Sequence, residues 1–198
     1  MQKLITLICF IACSIAISSM MMVYQANASE TVRTIGCINS KTLQTKPVNS
    51  IWNCFYWKNW QNISLPPDSH VKTWKKLFKT ERSIINRLPI VNFESSFDEN
   101  AWNKWAKWYV QTLRAYKIPK DVQSQLKWMK NRQESQKTWN CKQHSKSEDR
   151  MMRCLYARHY GAKTGFDWYP NKAMVARQYY IDWFKNNKLE AFIFFSQT

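Results

Sequence analysis

The sequence predicts an all-α protein: a single disulfide-stapled helical bundle of about five helices, preceded by an irregular N-terminal segment. Three observations predict it. Glycine occurs only at Gly36, Gly161 and Gly165, which disfavours turn-rich barrels and sandwiches and favours helices with short connections. Apolar residues recur at helical spacing along much of the chain after residue 68. No internal repeat and no Gly/Ser linker divides the chain, so one domain is the economical reading.

The chain opens Met1-Gln2-Lys3, runs apolar from Leu4 to Val23 and closes on Ala26-Asn27-Ala28. A basic start, an apolar stretch and a small-x-small ending form the pattern of a cleaved export signal over residues 1–28. The apolar run is also about as long as a spanning helix, so a retained membrane anchor is the rival reading. Cys13 after Ala12 is a weaker lipoprotein site, because the apolar run continues past it. The working chain is expected to begin at Ser29 and to be periplasmic or secreted.

Removing residues 1–28 leaves 170 residues and a net charge of +16. Such a field attracts anions over distance and repels cations. The partners expected are therefore an anionic envelope polymer or an acidic protein, with nucleic acid and a membrane surface as further possibilities. Cys37, Cys54, Cys141 and Cys154 remain in the exported part. Four cysteines in an oxidising compartment suggest two disulfides, with three pairings open. Local pairing, Cys37–Cys54 and Cys141–Cys154, is the expectation, since each would close a loop of roughly 15 residues worth about 3 kcal/mol. Cys141-x2-His144 and Cys154-x4-His159 could instead supply four zinc ligands, but export favours paired cysteines, and no metal is expected.

Residues 29–68 carry Pro47, Pro66 and Pro67 and no sustained period. They read as an irregular, Trp-rich segment packed on a helical domain over 69–198. The first helix is expected from Ser69 to Leu88, stopping at Pro89. Val71, Trp74, Leu77, Phe78, Ile84, Ile85 and Leu88 project onto one face of about 140°. Lys72, Lys75, Lys76, Lys79, Arg82 and Arg87 project opposite, while Glu81 falls at the centre of the apolar face.

A second helix is expected from Ser96 to about Tyr116, with Ser96-x-x-Glu99 as its capping box. Trp102, Trp105, Ala106, Tyr109, Leu113 and Tyr116 would form its core stripe, with Trp108 on the flank. A third begins near Pro119 and uses Val122, Leu126 and Met129. A fourth runs from Ser145-x-x-Glu148, again read as a capping box, to Tyr160. Its apolar side holds Met151, Met152, Leu155 and Tyr156, with His159 among them. The fifth covers about 171–187 and is apolar over more than half its circumference, which marks a buried element. The tail Ala191-Phe192-Ile193-Phe194-Phe195 reads as a short strand or a docked extended end.

Cys141, Glu148, Met151 and Cys154 are similar in spacing to the two-cysteine helical motif of a family of periplasmic lysozyme inhibitors. The resemblance covers residues 141–154 only, and the acidic and Leu-Asn positions beyond the second cysteine are missing. Strong positive charge also opposes encounter with a cationic lysozyme, so no function is carried over.

No catalytic signature is present: no phosphate-cradling glycine loop, no HExxH helix and no nucleophile in triad context. No cofactor is implied. Glu81 is the one candidate general acid, because a carboxylate facing a core must be paired or have its pKa raised. Glycan cleavage would need a second carboxylate about 5–9.5 Å away, from Asp98, Glu99 or Glu94; the simpler alternative is a buried salt bridge. Lys72, Lys75, Lys76, Lys79 and Arg82 are the candidate binding cations, and Trp108 the candidate for stacking on a sugar or base. A solvated outer helix face would show the same basic pattern. The leading expectation is an exported, non-enzymatic protein binding an anionic partner, an envelope polymer or an acidic protein such as a toxin. The alternative is a cell-wall glycan hydrolase using Glu81.

Overall fold

The computed structural model describes residues 32–48, 54, 58–101, 106–107, 109–113, 117–160 and 168–196. The expected export signal and Trp108 lie outside them. The chain is not all-α. Its N-terminal part forms an antiparallel three-stranded sheet in the order β2-β1-β3, from β1 (Arg33–Asn39), β2 (Thr45–Pro47) and β3 (Trp60–Leu65). Gly36 pairs with Pro47 on one side and Ile63 on the other, and a bulge lies between Thr34 and Gly36. The segment read as irregular therefore contains three strands. Ile35, Gly36, Cys37 and Ile38 are consecutive buried residues. A strand covered on both faces shows no alternation of apolar and polar residues, so the two-residue period is absent.

The expected first helix breaks into three. Helix α1 (Asp68–Leu77) ends where Phe78 leaves helical geometry. Thr80 then starts α2 (Glu81–Ile85), its side chain accepting from the Ser83 N–H at 3.1 Å. Pro89 starts a helix rather than stopping one: it lies in the first turn of α3 (Leu88–Ser95), where a missing N–H costs nothing.

Among the described residues the second expected helix is absent; Trp102, Trp105 and Tyr116 of its expected core stripe lie outside them. Ser96 and Phe97 both take positive φ, 53° and 63°, which turns the chain away from helix. Beyond them β4 (Ala106–Lys107) and β5 (Thr112–Leu113) pair antiparallel. Tyr109 is buried, as expected of the core stripe, but within this hairpin, where its hydroxyl accepts from Trp74 Nε1 at 3.0 Å.

The remaining helices follow the sequence more closely. Helix α4 (Val122–Trp139) is capped by Asp121, which accepts from the Ser124 N–H at 2.8 Å. Helix α5 (Glu148–Tyr160) is capped by Ser147 through the Arg150 N–H at 3.4 Å, not by Ser145. Helix α6 (Trp168–Asn186) crosses the sheet, and α7 (Lys188–Ser196) replaces the expected strand or extended tail. Phe194 and Phe195 hold α7 to α6, their rings 5.3 and 4.9 Å from that of Phe184.

One core joins sheet and helices. Asn92 on α3 accepts from the Ser64 N–H and donates to the Asn62 carbonyl, both at 2.8 Å. From α6, Tyr180 donates to the Ser64 carbonyl at 2.5 Å and Tyr179 to the Ile35 carbonyl at 2.8 Å. The Tyr179 ring fills the space where a Cβ at Gly36 would stand, so this approach needs glycine. Two disulfides close local loops, Cys37–Cys54 and Cys141–Cys154. The second removes both thiolates that a zinc site would have used.

Candidate anion-binding cleft

A cleft of about 260 Å³ opens between α2, α4 and α5. The break after Phe78 creates it, because it swings Thr80, Arg82 and Ser83 toward Glu148 and Met151. Arg82 donates through Nε and Nη2 to the two Glu148 oxygens at 2.8 and 2.9 Å. Asn86 Nδ2 donates to the same carboxylate at 3.0 Å, and Arg177 Nη2 reaches it at 3.0 Å. The Arg82 hydrogen bonds lead in pulling the Glu148 pKa down to about 2. A bidentate guanidinium is geometry that suits any carboxylate or phosphate.

Arg87 was expected on the solvated basic face and is instead buried. Its Nη1 donates to the Ser83 carbonyl and hydroxyl at 2.7 Å, and its guanidinium stacks on Phe78 at 4.4 Å. Arg87 Nε has no hydrogen-bond partner, nor have Nε2 and Oε1 of Gln133, which is 2% exposed in the cleft wall. A buried amide with both ends unsatisfied costs stability unless something donates and accepts there. Lys137, paired with Glu134 at 2.9 Å, completes the polar rim, and Met151, Met152 and Leu155 form an apolar wall.

The sequence candidates divide around this cleft. Arg82 lies in it. Lys72, Lys76 and Lys79 are exposed and form no ion pair among the described residues, and Lys75 is half-buried. Glu81 does not face the core. It is exposed in the first turn of α2, because the helix on which it was projected breaks before it. The burial against the core for which it was named a general acid is therefore absent.

A second group of ionisable residues lies apart from the cleft, sealed by aromatic rings. Lys172 on α6 is buried, donates to Gln61 Oε1 at 2.9 Å, and sits 4.0 and 4.4 Å from the rings of Phe93 and Trp168. Burial brings its pKa down to about 8, with Glu94 opposing the shift. Burial likewise pushes Glu94 up to about 7, while the Tyr169 hydroxyl and Lys172 counteract. The Tyr169 hydroxyl faces this carboxylate without a hydrogen bond of good geometry. His159 Nε2 lies 3.9 Å from Glu94 Oε1, and burial, aided by Arg132, brings its pKa down to about 4.

Sequence reading missed Gln133, Arg177 and the acceptor role of Glu148; of the second group it named Glu94 and His159 but not Lys172 or Tyr169. Arg177 carried a usable signal: it shares the helical face of Ala173, Tyr180 and Phe184, all of them buried. Glu148 was read as a cap, which hid its role as acceptor for two arginines.

No protein-family model, no curated protein and no solved structure matches this chain.

Proposed function

We propose that the protein is exported, to the periplasm or beyond, and binds an anionic partner without transforming it. The partner class is an anionic envelope polymer or an acidic protein such as a secreted toxin. The observation carrying this reading is the row of exposed cations Lys72 and Lys76 on α1 and Lys79 just beyond its end, none of them ion-paired among the described residues. It leads toward a cleft whose arginines already hold a carboxylate. The overall charge of +17 supports it by steering anions to the surface. Two disulfides fit an oxidising compartment.

The row offers long-range attraction, and the cleft offers short-range geometry. An acidic side chain or sugar acid entering it would meet Arg82 and Lys137, with the Gln133 amide free to donate and accept. The test is binding of purified protein to anionic envelope fractions and to acidic proteins across a salt series. Affinity should fall steeply with salt, and Lys72→Glu combined with Lys76→Glu and Lys79→Glu should lower it by roughly tenfold or more near 0.15 M salt. Salt-independent binding, or full affinity in that variant, would remove the support for this reading.

A further inference from the structure

Helix α7 turns Phe194 into the core but leaves the opposite side bare. Leu189, Phe192 and Ile193 are 72%, 70% and 46% exposed. They share one helical face by their spacing, and no other helix among the described residues exposes three large apolar side chains together. Contiguous exposed apolar surface marks an interaction site.

Two further observations indicate what covers it. The first is charge. Lys185 and Lys188 are exposed at the near end of the stripe, and Glu190, the single acid of α7, is neutralised by Arg33 at 2.7 Å. The second is the place where the described residues begin. Arg33 also lies over the Trp183 ring at 5.4 Å, so Val32 and Arg33 leave the domain beside α7. The apolar run ending at Val23 is joined to this point by a stretch that can reach at most about 30 Å. A membrane holding that run, during export or afterwards, would therefore lie within reach of the bare face.

We propose that the Leu189–Phe192–Ile193 face of α7 docks on an anionic lipid bilayer. Lys185 and Lys188 lie over the headgroups, and the three apolar side chains enter the boundary with the acyl chains, the arrangement of an interfacial amphipathic helix. This goes beyond the soluble or polymeric partner proposed above, and uses a different surface from α1 and the cleft.

The test places an environment-sensitive fluorophore at Phe192→Cys in the full chain, in whichever processed form the exporting host accumulates, with Trp139→Cys on α4 as the control position. Vesicles are phosphatidylcholine alone, or with about 30% phosphatidylglycerol. Emission at 192 should shift blue on the anionic vesicles while emission at 139 stays aqueous. In leader-free protein, Leu189→Ser with Phe192→Ser and Ile193→Ser should lower vesicle flotation by about tenfold or more. Aqueous emission at 192 in the presence of anionic vesicles would overturn the proposal, as would unchanged flotation of the triple variant. A blue shift without lipid that grows with protein concentration would also overturn it, assigning the face to a second copy of the chain.

Discussion

The Arg177 guanidinium, 2% exposed on α6, lies 3.0 Å from the Glu148 carboxylate on α5 and 2.9 Å from that of Asp149. Its Nε also donates to Asn86 Oδ1 at 2.7 Å. A buried arginine is thus tied to the first turn of one helix and the end of another, while Arg82 grips the same Glu148 from the solvent side. A buried guanidinium stripped of its acid is costly. Glu148→Gln should therefore destabilise more than Arg82→Gln, as read from denaturant midpoints.

Glu148 also sets a pH dependence. Its folded pKa of about 2 lies below the ordinary 4.5. A depressed carboxylate stabilises fully above its unfolded value, and the benefit is lost as pH falls from about 4.5 to about 2. Because this side chain is half-exposed, solvent screening limits the loss to about 1 kcal/mol. Unfolding midpoints measured between pH 5 and 2 should show that loss in the parent and not in Glu148→Gln.

Glu94 and His159 should hide each other's titration. The Glu94 shift, from 4.5 up to about 7, imposes a cost that is absent below 4.5 and complete above 7. The His159 shift, from 6.5 down to about 4, imposes one absent above 6.5 and complete below 4. The two slopes oppose each other across one window, and Lys172 titrates above it, at about 8. Glu94→Gln should therefore lose stability as pH falls from 6.5 to 4. His159→Gln should lose it as pH rises from 4.5 to 7, each by an amount on the order of 3 kcal/mol. Parallel stability curves for the two variants would contradict this pairing.

Gly36→Ala should cost roughly 1–3 kcal/mol, the usual range for overfilling a packed site. The added Cβ meets the Tyr179 ring and displaces a hydroxyl bonded to the Ile35 carbonyl. Tyr179→Leu in the same chain should recover part of the loss, and thermal melts of the single and double variants would show it.

Opening the Cys141–Cys154 link, which spans 13 residues, by Cys141→Ala with Cys154→Ala should cost about 3 kcal/mol. The same treatment of Cys37–Cys54, spanning 17 residues, should cost a similar amount. Denaturant titration of the two paired variants measures both.

Helices α4 and α5 were legible because each has a capping residue and a stripe that finds the core: Val122, Leu126 and Met129 on α4, and Met152, Leu155 and Tyr156 on α5; α6 was legible from its broad apolar face. The sheet was not legible, because Ile35 to Ile38 are buried on both faces and carry no period. The hairpin around Tyr109 was misread because closely spaced aromatics fit a helical projection whatever the backbone does. Glu81 was misplaced for a related reason: projecting residues 69–88 on one axis ignores the cap that Thr80 provides. Part of the cleft was visible, since Arg82 was named. Gln133 was not, because a glutamine in a polar run gives no sign of being buried.

The asparagine on α3 has one more effect. With β3 at the margin of the sheet, its outward Asn62 and Ser64 backbone groups are already engaged by Asn92 and Tyr180. A fourth strand from another molecule would first have to evict both side chains. The chain therefore carries a guard against edge-to-edge aggregation at the border where unpaired backbone would otherwise invite it.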